Sequence, residues 1–540
     1  MNQHISWYNR ISLFAVSALF LFSISCTKNF EDYNRDPSKA TDSLLQYDYI
    51  GKAIFLIQME KNVFPNATTG DASVYQVGQN LCADVFSGFL AFPTPFGGGR
   101  NNANYALNDG WTRAYFSNEL NNVLSGWLEI KRRDSISNPE IFAVAQIIKV
   151  LSMQRVTDLY GPMPYSAYGG GGFSVAYDSQ ESIYRSFFVD LDGAIAALDK
   201  YTKAFPGAKP IAKYDLVYGG DFTKWMRLAN SIKLRAAMRL SYVLPDLAKQ
   251  KAEEAVADAH GLLADNSDNA QLQTQGGITI VNPLYVISET YVADTRMSAN
   301  MESFLTGFHD PRIAAYFNTS TEFPGVYKGI RAGIDIISKD DRKNFSGLHV
   351  TVSTPIQWMT AAEVYFLRAE GALRNWNMNG NAKSLYEQGV QVSFAKDNLP
   401  GAATYLADNT STAAPYTDPV DSKNNVAAGA PELSTITIKW DDAADFETNL
   451  ERIITQKWIA IYPEGGEGWS EFRRTGYPKV FPIVANYSNN VISTKTRIRR
   501  LPFPLSEYNT NAAEVQKAVA LLGGQPDNGN TRLWWDKKPL

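Results

Sequence analysis

Histidine and cysteine are scarce in this chain, with 4 and 2 among 540 residues. Two cysteines, Cys26 and Cys82, cannot make a disulfide framework, so the fold must rest on a large apolar core. Cys82 reads as a small buried apolar residue. The histidines (His4, His260, His309, His349) are scattered, and no His-Glu-x-x-His or paired-cysteine zinc spacing occurs. A Gly-x-Ser-x-Gly elbow and a Walker loop are also missing, and the run Gly169–Gly172 reads as a flexible loop. Common hydrolase, metalloprotease and nucleotide-binding chemistries are therefore unsupported, no catalytic or metal-ligating set is assigned, and no motif asks for a cofactor. The net charge of −4 leaves no basic footprint for a nucleic acid.

Long apolar runs are missing too, save one. Ile11–Ile24 comes after a polar stretch carrying Arg10 and is shorter than the roughly 20 residues a spanning helix needs. It matches the apolar region of a secretory signal. Ser23-Ile24-Ser25-Cys26 is similar to a bacterial lipobox, with Ser23 where leucine is usual. The expectation is removal of residues 1–25 and lipidation of Cys26; the alternative is ordinary cleavage with Cys26 a bystander. Residues 26–45 read as a tether and 46–540 as one domain. Each acyl methylene buried in a bilayer contributes about 0.8 kcal/mol, so a multiply acylated cysteine holds a soluble domain there.

Helical signals dominate the rest of the chain. Asn138-Pro139-Glu140 is an N-cap with proline at the first helical position, and Gly161 stops that helix. Asp178-Ser179-Gln180-Glu181 resembles a capping box before the apolar face Ile183, Phe187, Leu191, Ile195 and Leu198. Asp221 opens a helix with the stripe Phe222, Trp225, Ala229, Ile232, Ala236 and Leu240; Pro245 breaks it, and another helix runs to about Leu263. Residues 360–396 repeat the plan, and a last pair starts near Leu450. Such pairs are tetratricopeptide-type units, each needing a neighbour to bury its apolar face. Between them lie irregular segments: 84–110, 265–355 with a strand-like Ile278–Val281 and a helix near 297–308, and 401–447. The fold class is mostly α, with tetratricopeptide-like repeats and irregular loop insertions.

Several phrases then resemble one family. They are Asp158-Leu159-Tyr160-Gly161-Pro162-Met163-Pro164-Tyr165-Ser166; Trp225 with Leu228-Ala229-Asn230-Ser231 and Leu234-Arg235; and Ala362-Glu363-Val364 with Ala369-Glu370. Next come Gln456-Lys457-Trp458-Ile459-Ala460, Trp469 through Pro478, Arg500-Leu501-Pro502-Phe503-Pro504 with Glu507, and Trp534-Trp535-Asp536. Together they resemble the SusD/RagB family of outer-membrane nutrient-binding lipoproteins, in the branch often labelled starch-binding associated. The resemblance implies an α-superhelix of four tetratricopeptide-like units. It implies a non-catalytic, surface-facing lipoprotein that binds oligosaccharide, or sometimes peptide, above a SusC-like TonB-dependent transporter. Glu31-Asp32 is similar to the short surface-export signal of such lipoproteins. The family phrases themselves read as architectural: Arg235, Arg239, Arg473 and Arg474 are expected to pair with carboxylates or carbonyls, and Trp534-Trp535 to plug the core.

Binding chemistry is expected in loops. Sugars present flat C–H faces and rings of hydroxyls, which suit aromatic faces flanked by amides, carboxylates or guanidinium groups. Loop 84–110 carries that mixture in Phe89, Phe92, Phe96, Arg100, Asn101, Asn102 and Tyr105, with Trp111 just beyond it; a second loop offers Tyr285, Tyr291, Phe323 and Tyr327. Packing onto the helices is the competing reading for every one of these rings. Glu464 with Glu467, and the cluster Asp441, Asp442 and Asp445, are the carboxyl groups a glycosidase reading would use. Asp265, Asn266, Asp268 and Asn269 could offer oxygens to calcium, though a solvated loop fits better.

Overall fold

Proline and small polar caps start most of the long helices, as the sequence leads one to expect. The computed structural model describes residues 50–66, 71–171 and 174–539. The signal, Cys26 and Glu31-Asp32 lie outside the described residues. In chain order the main helices are α1 (Ile50–Val63), α2 (Asp109–Glu119), α3 (Ser125–Asp134) and α4 (Pro139–Tyr160), then α5 (Gln180–Ala204), α6 (Phe222–Arg239) and α7 (Pro245–Ala257). They continue with α8 (Ala299–Gly307), α9 (Ala361–Leu373), α10 (Ala382–Lys396), α11 (Phe446–Ala460) and α12 (Gly465–Thr475). Strand pairing is slight: β1 (Leu90–Ala91) pairs antiparallel with β3 (Arg296–Met297), and β2 (Ala270–Leu272) with β4 (Ile356–Met359). Residues 55–540 form one compact unit.

Helices pack as sequential pairs, α4 on α5, α5 on α6, α6 on α7 and α9 on α10, with α11 laid against α9. Asp221 caps α6 by accepting from the Thr223 and Lys224 amides, and Thr360 caps α9 through the Glu363 amide. Gly161 closes α4 with φ 89°, a conformation that glycine adopts without penalty. Three expectations change. Ser179, not Asp178, caps α5, because the Asp178 carboxylate accepts from the Tyr165 and Ser166 amides at 3.1 and 2.8 Å and pins the Pro162–Ser166 turn. Helix α7 ends at Ala257, short of Leu263. Ile278–Val281 is no strand; it holds isolated bridge residues at Ile278, paired with Gln275, and at Val281.

A buried ionic lattice joins the pairs. Arg235 of α6 grips Glu363 of α9 with two bonds of 2.8 and 2.6 Å. Arg239 donates to Asp158 at 3.1 Å, to Glu471 at 2.7 Å and to Glu467. Arg474 holds Glu370 through bonds of 2.6 and 2.5 Å, while Arg473 donates to the Asp158 and Arg499 carbonyls at 2.5 and 3.0 Å. Burial alone would raise the Glu467 pKa, yet Arg239, Lys457 and Arg235 hold it well below the ordinary value. The arginines thus serve architecture, as their family phrases suggested. Trp535 is fully buried and Trp534 packs half-buried against the core.

Candidate functional site

The β1–β3 pairing aligns Leu90 with Met297 and Ala91 with Arg296, which brings loop 92–111 beside the segment 286–297. Beneath the loop runs a π-helical segment, Gln76–Asp84. Its Leu81, with Val85, forms a small apolar floor with Phe92 and Ala103, and Phe96 and Trp111 pack on it from the outside. Phe96 meets Phe92 edge-on at 5.4 Å and Trp111 edge-on at 5.7 Å. Phe96 and Trp111 stay half-buried, so part of each ring is left to solvent. Gly97 and Gly98 come next in the chain at φ 62° and 67°, with no atom within 4 Å of where a Cβ would stand. Bare backbone therefore lies open beside the rings.

Arg100 is exposed, and its guanidinium sits 4.9 Å from the centre of the Tyr487 ring. The Tyr487 hydroxyl donates to Asp335 Oδ1 at 2.7 Å, a bond that raises the phenol pKa, and the Tyr487 amide donates to the Asn104 carbonyl at 2.8 Å. Three separate segments thus converge on one face. The exposed Ile337 stands two residues beyond Asp335.

A second anchor fixes the loops to each other. Asp294 accepts from Gln76 at 3.3 Å, Thr94 at 2.6 Å and Lys339 at 2.6 Å. Tyr291 is half-buried; its hydroxyl accepts from the Ala72 amide at 2.9 Å and donates to Asp71 at 3.2 Å. Val292 and Ala293 between them adopt φ 51° and 69°. A left-handed β-branched residue is strained, and the bonds around Asp294 hold it.

The residues expected at the site divide accordingly. Phe96 and Arg100 lie at the surface and Tyr291 borders it. Phe89 is a core residue, fully buried, stacked on Trp458 at 5.0 Å and edge-on to Tyr462 at 5.6 Å, so it offers no face to a ligand. Phe92 and Tyr105 are also buried, the first as floor beneath Phe96. Asn101 shapes the loop: it accepts from the Ala103 amide at 3.1 Å and donates to the Phe96 carbonyl at 3.0 Å. Tyr487 and Asp335 were missed. Tyr487 stands among Asn486, Ser488, Asn489 and Asn490, the amide-flanked aromatic pattern that singled out loop 84–110.

The carboxyl groups considered for catalysis or metal binding are engaged elsewhere. Glu464 is buried, pairs with Arg155 and caps α12 through the Gly466 and Glu467 amides. Glu467 is buried in the ionic lattice, bonded to Lys457 at 2.6 Å. Asp445 caps α11, and Asp442 accepts from Trp440 at 2.9 Å. Asp268 pairs with Arg227 at 2.8 Å, Asp265 caps the Ser267 amide at 2.7 Å and Asn269 accepts from the Ala361 amide at 2.8 Å.

The model of the SusD-like family, Susd and RagB outer membrane lipoproteins, matches residues 32–536. The chain belongs to the SusD-like family. Solved SusD homologues share its fold. A chitin-binding one from Flavobacterium johnsoniae is 43% identical with a TM-score of 0.86, the match covering 91% of this chain and 99% of that one. One from Bacteroides uniformis is 37% identical with a TM-score of 0.83, covering 91% and 100%. A third, from Bacteroides thetaiotaomicron, is 35% identical with a TM-score of 0.84, covering 90% and 99%. No curated protein matches the sequence. This SusD-like chain is a nutrient-binding lipoprotein of the outer membrane, and its helical superstructure is that of the family. Among its described residues no helix is long and apolar enough to cross a membrane.

Proposed function

We propose that this SusD-like chain captures oligosaccharide, without cleaving it, on the face made by Phe96, Trp111, Arg100, Tyr487 and Asp335. It then delivers the cargo to a SusC-like TonB-dependent transporter. Lipid on Cys26 holds residues 26–45 at the outer surface as a tether, with 46–540 as the binding domain.

The observation that carries this reading is Tyr487 between Arg100 and Asp335. An aromatic ring, a guanidinium with several donors and an acceptor carboxylate stand together in solvent. Sugar C–H faces and hydroxyls need that combination. A peptide ligand would want free amides to meet its backbone, but Asn101, Asn102 and Asn104 are buried and bonded within their own loop or to Cys82. The 43% identical relative is described as chitin-binding, so chitin fragments are the first cargo to try. Tethering beside the transporter raises effective concentration, and modest affinity suffices.

Calorimetric titration of the full-length protein in detergent, against a panel of oligosaccharides and peptides with product release monitored in parallel, tests the reading. Saturable glycan binding without product supports it. Peptide binding alone, or release of shortened glycan, refutes it.

A further inference from the structure

A cavity of about 250 Å³ shares no lining residue with the aromatic face. It opens between the β2–β4 pair, the C-terminal end of α10 and the link from α11 to α12. Tyr316 and Tyr462 form part of its wall, their rings 4.8 Å apart and tilted by 32°. Lys396, Asp397, His349 and Gln271 supply polar lining. The volume approaches the lower end for small-molecule sites, about 300 Å³, which leaves room for one ring-sized ligand.

The lining offers donors and acceptors side by side. Lys396 Nζ donates only, and at 3.8 Å from Asp397 Oδ2 it is too far for a hydrogen bond. Burial lowers its pKa, with Asp397 opposing. Asp397 accepts only. His349 Nδ1 lies 2.9 Å from the Ala314 carbonyl, which only accepts, so this nitrogen carries a proton and Nε2 is left for a ligand. The Gln271 amide can do both. A lone carboxylate gains Lys396 but meets Asp397, and a lone ammonium gains Asp397 but meets Lys396, so the pair favours neither charge. A hydroxyl donates and accepts at once, and several on one ring fit all four groups. Val350, Pro355 and Pro463, which line the cavity and keep surface to solvent, suit the C–H face of such a ring.

We propose that this cavity is a separate binding pocket for one neutral polyhydroxylated ring, a monosaccharide-sized ligand, independent of the oligosaccharide face. The test is saturation-transfer NMR on the full-length protein in detergent micelles, with glucose and N-acetylglucosamine as probes. The expected result is saturable binding of at least one probe. Lys396→Met, which keeps the length of the side chain and removes its donors, weakens that binding about tenfold, the loss expected for a hydrogen bond to a charged group. Gln271→Ala weakens it too, and Tyr487→Ala leaves it unchanged. Thermal melts matching wild type show that the variants fold. No saturation with either probe overturns the proposal. So does binding that survives both Lys396→Met and Gln271→Ala, or that Tyr487→Ala abolishes. Lys396 and Gln271 line this cavity alone and Tyr487 belongs to the oligosaccharide face alone, so the variants let either site fail without the other.

Discussion

Arg235 and Glu363 face each other from α6 and α9, joined by two bonds of 2.8 and 2.6 Å, and neither is more than 3% exposed. Two helical pairs far apart in the chain are held in register by one planar fork. Removing Glu363 leaves Arg235 with Glu467, at 3.8 Å, as its nearest remaining counter-charge in a dry interior, and breaking a buried pair costs about 3–5 kcal/mol. Glu363→Leu should therefore lower the denaturant midpoint sharply. The double variant Arg235→Met with Glu363→Leu should recover much of that loss, because no uncompensated charge is left. Chemical denaturation of the three proteins checks both statements.

Stability should fall as pH rises from about 4 to about 8. Burial pushes Asp84 up to about 8, although Gln79 and Asn80 donate to it, and Glu464 adds to the rise. A carboxyl whose folded pKa is raised keeps a proton that the unfolded chain has lost. Between about pH 4 and pH 8 the folded state binds more protons, so stability declines as pH rises through that window. Glu370 works in the opposite sense. Burial opposes it, but Arg474 and Arg374 hold it at about 2. Its contribution is present above the unfolded carboxyl pKa and is lost as pH falls toward 2. The melting temperature should peak between these limits, near pH 4–6. Asp84→Asn should flatten the alkaline limb and leave the acid limb in place, as melts across a pH series would show.

Membrane attachment should depend on a single side chain. Cells supplied with a clickable fatty acid should label the wild-type chain and not Cys26→Ala, and the variant should leave the outer-membrane fraction. Labelling that persists in Cys26→Ala would place the lipid elsewhere.

Helix starts were legible because their signals are local. Pro139 opens α4 and Asp221 caps α6 within a turn of where the sequence marks them, whereas Asp445, which caps α11, was passed over when that helix was placed near Leu450. The arginine pairings were legible in kind, since a charge on an apolar helix face needs a partner, although Glu363 and Glu467 as partners of Arg235 and Arg239 depend on the tertiary fold. The loops were not legible. β1 and β3 are two residues each and exist only through their contact, which no periodicity announces. Phe89 and Phe96 belong to one stretch of similar composition, yet Trp458, far along the chain, buries the first while the second stays at the surface. Tyr487 and Asp335 become neighbours only when three loops converge.

Capture without cleavage is decided by titrating chitin oligosaccharides into wild type, Tyr487→Ala and Arg100→Ala, with reducing-end release assayed in the same samples. Tyr487 is half-exposed, and its loss should leave the melting temperature close to wild type. As a central aromatic contact it should cost about 2 kcal/mol of binding, roughly thirtyfold in affinity. The expected outcome is saturable binding without new reducing ends, weakened to that extent in Tyr487→Ala and also weakened in Arg100→Ala. Cleavage of the oligosaccharide, or binding indifferent to both substitutions, would refute capture at this face.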